Sequence, residues 1–245
     1  MQDEDLKVRY RYLDSIMDDS VVERFRNRAG IISLIRRFLE ERGYIEVETP
    51  VLQTLYGGAS ARPFKTHHNA YDMDMYLRIA LELYLKRLII GGMDKVFELG
   101  RNFRNEGVDR LHNPEFTMLE LYEAYGDYNT MMEIAEKLLV FLVTELFDAR
   151  EHTYQEQETT VSMPFPRIAF FEAIDRFAGI DARHATDDQL KAFLKEKGEP
   201  TKGRDTRTQL LDAVFSTFVE PKLIEPTFIV DYPVELSPLA KRKPE

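Results

Sequence analysis

Two runs of alternating residues, from about Lys95 to Glu106 and from about Glu115 to Tyr125, carry side chains able to hold a charged ligand. A strand sends every second side chain to the same face, so parity sorts them. Glu98, Gly100, Asn102, Arg104 and Glu106 share one face of the first run, and Phe97, Leu99, Arg101 and Phe103 share the other. On the second run Phe116, Met118, Glu120, Tyr122 and Ala124 go together, opposite Thr117, Leu119 and Leu121. If the apolar sets pack towards core helices, the polar sets make an open floor holding Arg104, Glu106, Phe116, Glu120 and Tyr122. An exposed Phe beside an Arg and a Glu can stack a purine, neutralise a phosphate and accept a hydrogen bond. A second Glu with a Tyr suits a ligand ammonium. Parity is met equally well by cross-strand charge pairs on an exposed sheet that binds nothing.

Other elements must hold this antiparallel hairpin in place. Ser20 with Glu23 reads as a capping box opening a helix whose apolar positions are Val22, Phe25, Ala29, Ile32, Ile35 and Leu39 and whose end is at Gly43. Tyr44, Ile45 and Val47 then predict a short strand stopped by Pro50. Residues 54 to 70 read as loop, followed by a strand over 76 to 80 and an amphipathic helix ending at Gly91 and Gly92. Thr130 and Glu133 predict a second long helix. Beyond residue 150 the texture changes, with a polar stretch over 151 to 163 and short helices near 169 to 178, 187 to 197 and 207 to 219. Thr186 with Gln189 and Thr206 with Gln209 supply caps there, and Gly179 and Gly198 the stops. Strand character resumes at Thr227 to Asp231. These changes predict a lead-in from an upstream domain over 1 to 20, a core over 21 to 150, a helical insertion over 151 to 225 and a return strand of the core over 226 to 245.

Composition narrows the class. At 245 residues with 44% hydrophobic side chains there is ample material for a core. Lys plus Arg number 33 against 43 Asp plus Glu, so the bulk field repels polyanions and any nucleic acid must bind locally. The absence of cysteine excludes disulfides, thiolate metal sites and cysteine nucleophiles. The five histidines form no HxxxH pair, and His67 and His68 read as structural. No run approaches the roughly 20 apolar residues of a membrane helix, and the first residues lack a signal peptide's basic start and apolar core, so a cytoplasmic location is expected.

Taken as strings, the segments carry a resemblance. FELGRNFRNEGVDRLHNPEFTMLELY, residues 97 to 122, closely resembles motif 2 of the class II aminoacyl-tRNA synthetases, and its HNPEFTMLELY continuation is similar to the lysine-specific, lysyl-tRNA synthetase branch of that family. Val47, Glu48, Thr49 and Pro50 with the preceding helix resemble motif 1, where the family builds its dimer interface. GGASARPFKTHHNAYDMDMYLRIALELYLKRLIIGG (57 to 92), PTFIVDYPVELSPLAKR (226 to 242) and RYRYLDSI near the start are similar to the bacterial branch. Two departures stand out. The resemblance leads to an expectation of proline where this chain has Leu81, and no glycine follows Gly203, so the Gly-rich motif 3 with its second ATP-binding arginine is not in this sequence.

The resemblance implies an α+β fold, an antiparallel sheet flanked by helices, incomplete at its C-terminal end and carrying a helical insertion. It implies lysine plus ATP giving lysyl-adenylate and pyrophosphate, then transfer to tRNA(Lys) by a homodimer joined through motif 1, with no membrane. Arg104 would bridge the lysine carboxylate and the α-phosphate, Glu106 would accept from the adenine amino group, and Phe116 would stack on the ring. His112, in the turn with Asn113, would approach the outer phosphates. Gly58 backbone and Glu82 would hold the α-ammonium, and Glu120 and Tyr122 would face the side-chain ammonium. Taken singly, Glu82 also reads as a first-turn helix charge, His112 as a solvated loop residue and Gly58 as part of a flexible turn. ATP is then a substrate, and magnesium is expected on ligands outside these residues, with no metal ligand within them. The 245 residues alone are expected to be weakly active or inactive. Two alternatives remain open: a paralog that attaches a lysine-type group to a protein, and a non-catalytic binding or dimerisation module.

Overall fold

The computed structural model describes residues 4–109, 112–147, 151–154, 157–237 and 239–243. Within residues 1 to 20, the predicted lead-in, two short helices form, α1 (Glu4–Arg9) and α2 (Arg11–Met17). The long helix α3 (Asp19–Glu40) starts one residue before the predicted cap, because the Asp18 carboxylate accepts from the Ser20 N–H. Asp18 thus does the work assigned to Ser20, and Glu23 turns instead to Arg26. Gly43 adopts a φ of +79°, the left-handed conformation that lets the chain leave the helix.

Two small sheets build the first part of the molecule. Strands β1 (Ile45–Glu46), β2 (Leu52–Gln53), β3 (Lys65–His68) and β4 (Met73–Leu77) follow α3. The helix α4 (Glu82–Ile90) and the long strands β5 (Lys95–Phe103) and β6 (Glu115–Glu123) come next. β5 and β6 pair antiparallel over their whole lengths, and β1 joins β5 in parallel. The second sheet has the order β2-β4-β3 and is antiparallel throughout. β3 lies inside the stretch that reads as loop in the sequence, where its Lys-Thr-His-His text has no apolar alternation.

The chain divides into two compact units, Met1–Ile134 and Ala135–Glu245, with the division inside helix α5 (Tyr128–Phe147). Asp127 anchors the start of α5 by accepting from the Thr130 N–H, so Thr130 is not its cap. In the first unit Leu81, Leu85 and Val96 are fully buried, with Val47, Leu88, Ile89 and Tyr122 packed against them. In the second unit α5 is followed by a polar hairpin, β7 (Glu151–Tyr154) and β8 (Gln157–Thr160), unseen in the sequence because none of its residues alternate in hydropathy. Strand β9 (Arg167–Ala169) then leads into helices α6 (Phe170–Ala178), α7 (Asp187–Glu196) and α8 (Arg207–Phe218). Both predicted capping boxes form in full, Thr186 with Gln189 and Thr206 with Gln209. The three helices enclose Phe170, Ile174, Leu190, Leu194, Leu210, Leu211 and Val214, and Phe170 stacks on Phe215 at 4.9 Å. At about 1.5–3 kcal/mol for each fully buried large apolar side chain, this cluster is the main source of the second unit's stability. The strand expected over 227 to 231 is β10 (Phe228–Val230), and it pairs in parallel with β9. The fold is α+β, and no helix among the described residues is long and apolar enough to cross a membrane.

Candidate active site

The hairpin register puts Glu98 opposite Glu120, Gly100 opposite Met118 and Asn102 opposite Phe116, so the two polar sets share one face as parity requires. The opposite face meets α3, whose Arg28 donates to the Thr117 hydroxyl at 2.9 Å. The polar face is not, however, an open floor along its length. Glu98 is 3% exposed and Asn102 is 0% exposed. Arg78, immediately after β4 and itself 3% exposed, covers the middle of the face. Its guanidinium pairs with Glu98 at 2.5 Å and donates to the carbonyl oxygens of Arg101 (2.8 Å) and Thr49 (3.0 Å). The Thr49 hydroxyl donates to the other Glu98 oxygen at 2.6 Å. Gly100 makes room for all this: a Cβ there would sit 2.3 Å from Arg78 Nη2. A glycine inside a strand marks such a close approach, which is the one sequence signal that could have revealed Arg78.

From Arg78 the chain runs along the site, and each residue of 78 to 82 meets part of it. The Ile79 carbonyl accepts from Arg104 Nε at 3.5 Å. Ala80 and Glu82 enclose Gly58, whose φ is +84° and whose missing Cβ would lie 2.9 Å from Glu82 Cβ and 3.5 Å from Glu82 Oε2. The Leu81 N–H donates to Glu120 Oε1 at 3.1 Å. Glu82 opens α4 and offers Oε1 to Lys86 one turn later, leaving Oε2 on the Gly58 side. The Tyr122 hydroxyl donates to Glu120 Oε2 at 3.1 Å. Burial first, then the charges of Glu120 and Glu82, raise the Tyr122 pKa, so the phenol stays a donor. Two carboxylates and a fixed phenol thus lie beside one short segment, with Lys86 the cation on Glu82 and no cation on Glu120 among the described contacts.

At the other end of the hairpin Arg104 lies over the Phe116 ring, its Cζ 5.1 Å from the centroid. β5 stops at Phe103, so Arg104 and Glu106 lie beyond the strand and parity does not place them. A turn does so instead: the Arg104 N–H donates to the Pro114 carbonyl at 2.9 Å and the Glu106 N–H to the Arg104 carbonyl at 3.0 Å. Arg62 ties this turn to the Gly-rich segment, its carbonyl accepting from the Asn105 N–H at 2.8 Å and its N–H donating to Glu106 Oε1 at 3.4 Å. His112 pairs with Asp109 at 2.8 Å and the Asn113 amide donates to the Glu115 carbonyl at 2.7 Å, so both shape the connection between β5 and β6. A ring face that already accepts a planar cation, next to an exposed carboxylate, suits a planar base and an anion. Among the described residues no group of three or more His, Asp or Glu side chains is placed to hold a metal ion. His67 lies against Asp72 and Asp74, and His68 against Tyr71, away from these contacts.

Residues 3–245 match the family model of the class II tRNA synthetases (D, K and N). The chain belongs to that family. Among similar proteins, one named lysine–tRNA ligase from Chloroflexus aurantiacus is 52% identical over 246 residues, covering 100% of this chain and 50% of that protein. Proteins of the same name from Thermoanaerobacter pseudethanolicus and Clostridium tetani are 51% and 49% identical, each over 99% of this chain and 49% of their own length. The chain thus spans about half the length of the curated relatives it matches. Of the residues that motif reading singled out in this class II synthetase chain, the structure brings Arg104 over Phe116 and sets Glu82, Glu120 and Tyr122 beside segment 78 to 82. That reading did not include Arg78 and Thr49, which fix Glu98 beneath the face, or the backbone donor of Leu81, which holds Glu120.

Proposed function

We propose that the whole protein is a lysine–tRNA ligase, and that the residues above hold its ATP and L-lysine. The observation that carries this reading is the segment 78 to 82, which touches the Arg104 end, the Gly58–Glu82 pair and the Glu120–Tyr122 pair in five consecutive residues. Such a pocket offers one carboxylate to each ammonium of a diamino acid, with a guanidinium beyond them for its carboxylate. Glu82 Oε2 and the Gly58 backbone would take the α-ammonium, and Glu120 with Tyr122 the side-chain ammonium. A neutral side chain would leave the Glu120 charge without its partner, which is how lysine is preferred.

In the reaction, a lysine carboxylate oxygen attacks the α-phosphorus of ATP as the bond to pyrophosphate breaks. A ribose hydroxyl at the tRNA 3′ end then attacks the acyl carbon and AMP leaves. Two anions must approach in the first step, so catalysis is positioning and charge neutralisation. Arg104 would bridge both with a planar fork, Phe116 would stack the adenine, and Glu106 would accept from its amino group. His112 and Asn113 would approach the outer phosphates. Magnesium, when bound, would offset phosphate charge. The exposed apolar side chains Phe25, Ile31 and Ile45, on α3 and β1, support a homodimer through this region. The domain boundaries at residues 20, 150 and 225 are part of the same proposal.

The test is lysine-dependent exchange between ATP and pyrophosphate by the whole protein. Arg104→Ala is expected to abolish it, and Arg104→Lys to lower it by about 10²-fold or more, since an ammonium cannot form the fork. No exchange in the wild type would overturn the enzyme reading in favour of a binding module. Exchange with protein lysylation but no charging of tRNA would overturn the tRNA assignment. A strictly monomeric mass by light scattering at high concentration would overturn the dimer.

A further inference from the structure

α4 begins with no side-chain cap of its own: Leu81 stands at the N-cap position with φ −95° and ψ −17° and has no group to offer. The first N–H groups of a helix need acceptors, and the helix end favours negative charge. Here the acceptor comes from another element, the Glu120 carboxylate on β6, which takes the Leu81 N–H on Oε1 and the Tyr122 hydroxyl on Oε2. Both carboxylate oxygens are therefore held, one by backbone and one by a half-buried phenol. Leu81 is 0% exposed and packs with Leu85 and Val96, so its N–H is a rigid donor. Proline, the residue the resemblance leads one to expect here, has no N–H and could not make this bond.

We propose that the backbone N–H of Leu81 is a positioning group for the amino-acid pocket, fixing the Glu120 carboxylate in the orientation that receives the distal ammonium of L-lysine. The inference rests on the lysine reading of the pocket given above. Two effects oppose each other. The bond occupies one acceptor site of Glu120, which weakens its hold on a ligand. It also removes the freedom of a long side chain before the ligand arrives, which strengthens that hold. A carboxylate has about four acceptor sites, and Leu81 with Tyr122 uses two, so an ammonium still finds two free. Prior ordering therefore wins, and loss of the N–H weakens lysine binding.

Two measurements on the whole protein test the proposal. First, with ¹⁵N-leucine labelling, the Leu81 amide resonance should titrate with a carboxyl group, and the titration should vanish in Glu120→Gln. Second, calorimetric affinity for L-lysine should fall about threefold to tenfold in Leu81→Pro. Leu81→Ala keeps the N–H and loses only side-chain packing, so its fall in affinity should be clearly smaller. The native φ lies about 30° from proline's preferred value, and the amide titration keeps the test decisive if Leu81→Pro does not fold. An amide that does not titrate, or equal losses in Leu81→Ala and Leu81→Pro with lysine still bound by the wild type, would overturn this proposal alone. No lysine binding by the wild type would overturn the pocket reading and this proposal with it.

Discussion

Arg78 and Glu98 show how a charged pair can sit under a binding face without belonging to it. Each side chain is at most 5% exposed, and the pair is completed by the Thr49 hydroxyl and two backbone carbonyls. The attraction between such groups largely offsets their loss of hydration, so removing one partner costs more than the pair contributes. Glu98→Ala is expected to destabilise the protein by about 3–5 kcal/mol, measured by urea unfolding, because Arg78 is left buried without its counter-ion. Gly100→Ala should be nearly as damaging for a different reason, since the added methyl group displaces the guanidinium. Neither substitution touches a proposed ligand, so a loss of binding in these variants should track the unfolded fraction.

At the scale of elements, α3 is tied to the hairpin at its end. The Tyr44 hydroxyl donates to Glu123 Oε2 at 2.6 Å and Lys95 pairs with Oε1 at 2.9 Å. Burial works against the Glu123 charge, but the Lys95 and Tyr44 bonds together outweigh it and hold its pKa below the usual carboxylate range. A depressed folded value means the unfolded state binds the proton more readily. The stabilisation is therefore present above the ordinary glutamate range near about pH 4.3 and is lost as pH falls through the lower folded value. Glu123→Gln should cost about 1–2 kcal/mol at pH 7, and the difference from wild type should shrink below about pH 4 in unfolding curves. Tyr44 acts at the other extreme, where burial and then Glu123 raise its pKa. Its contribution is present below about pH 10 and fades as pH climbs towards the raised folded value.

The same tie shows what could be read in advance. The hairpin, α3 and the capped helices α7 and α8 were legible because hydropathy repeats at a period of two or near 3.6, and because Thr–x–x–Gln is a local signal. Glu82, Glu120 and Tyr122 stood out as letters at motif positions, and the structure sets them beside segment 78 to 82. What escaped was of two kinds. β3 and the β7–β8 hairpin are built of polar residues with no period to detect, and their pairing is decided by neighbours. The Leu81 donor is backbone, which every residue except proline carries, so no letter announces it. Arg78 fell between these cases: its letter was visible, but its partners come from two other segments.

At the largest scale, Met1–Ile134 and Ala135–Glu245 each contain a hydrophobic cluster among the described residues, and these two clusters share no residue. Units with separate cores need not melt together. Leu85→Ala, in the first cluster, and Leu190→Ala, in the second, should each cost about 2–5 kcal/mol. Scanning calorimetry is expected to show each substitution lowering a different component of the transition. A single component lowered equally by both would mean that the two units unfold as one.

The buried Arg78 also bears on time. Its bonds join positions 20 to 29 residues apart, reaching Glu98, Arg101 and Thr49, so they close only after three segments have met. If they close only after the folding transition state, their loss is felt on the way out of the native state. In stopped-flow experiments Arg78→Met should leave the refolding limb in place and raise the unfolding limb. The cluster would then govern how long the face above it persists, rather than how fast it first forms.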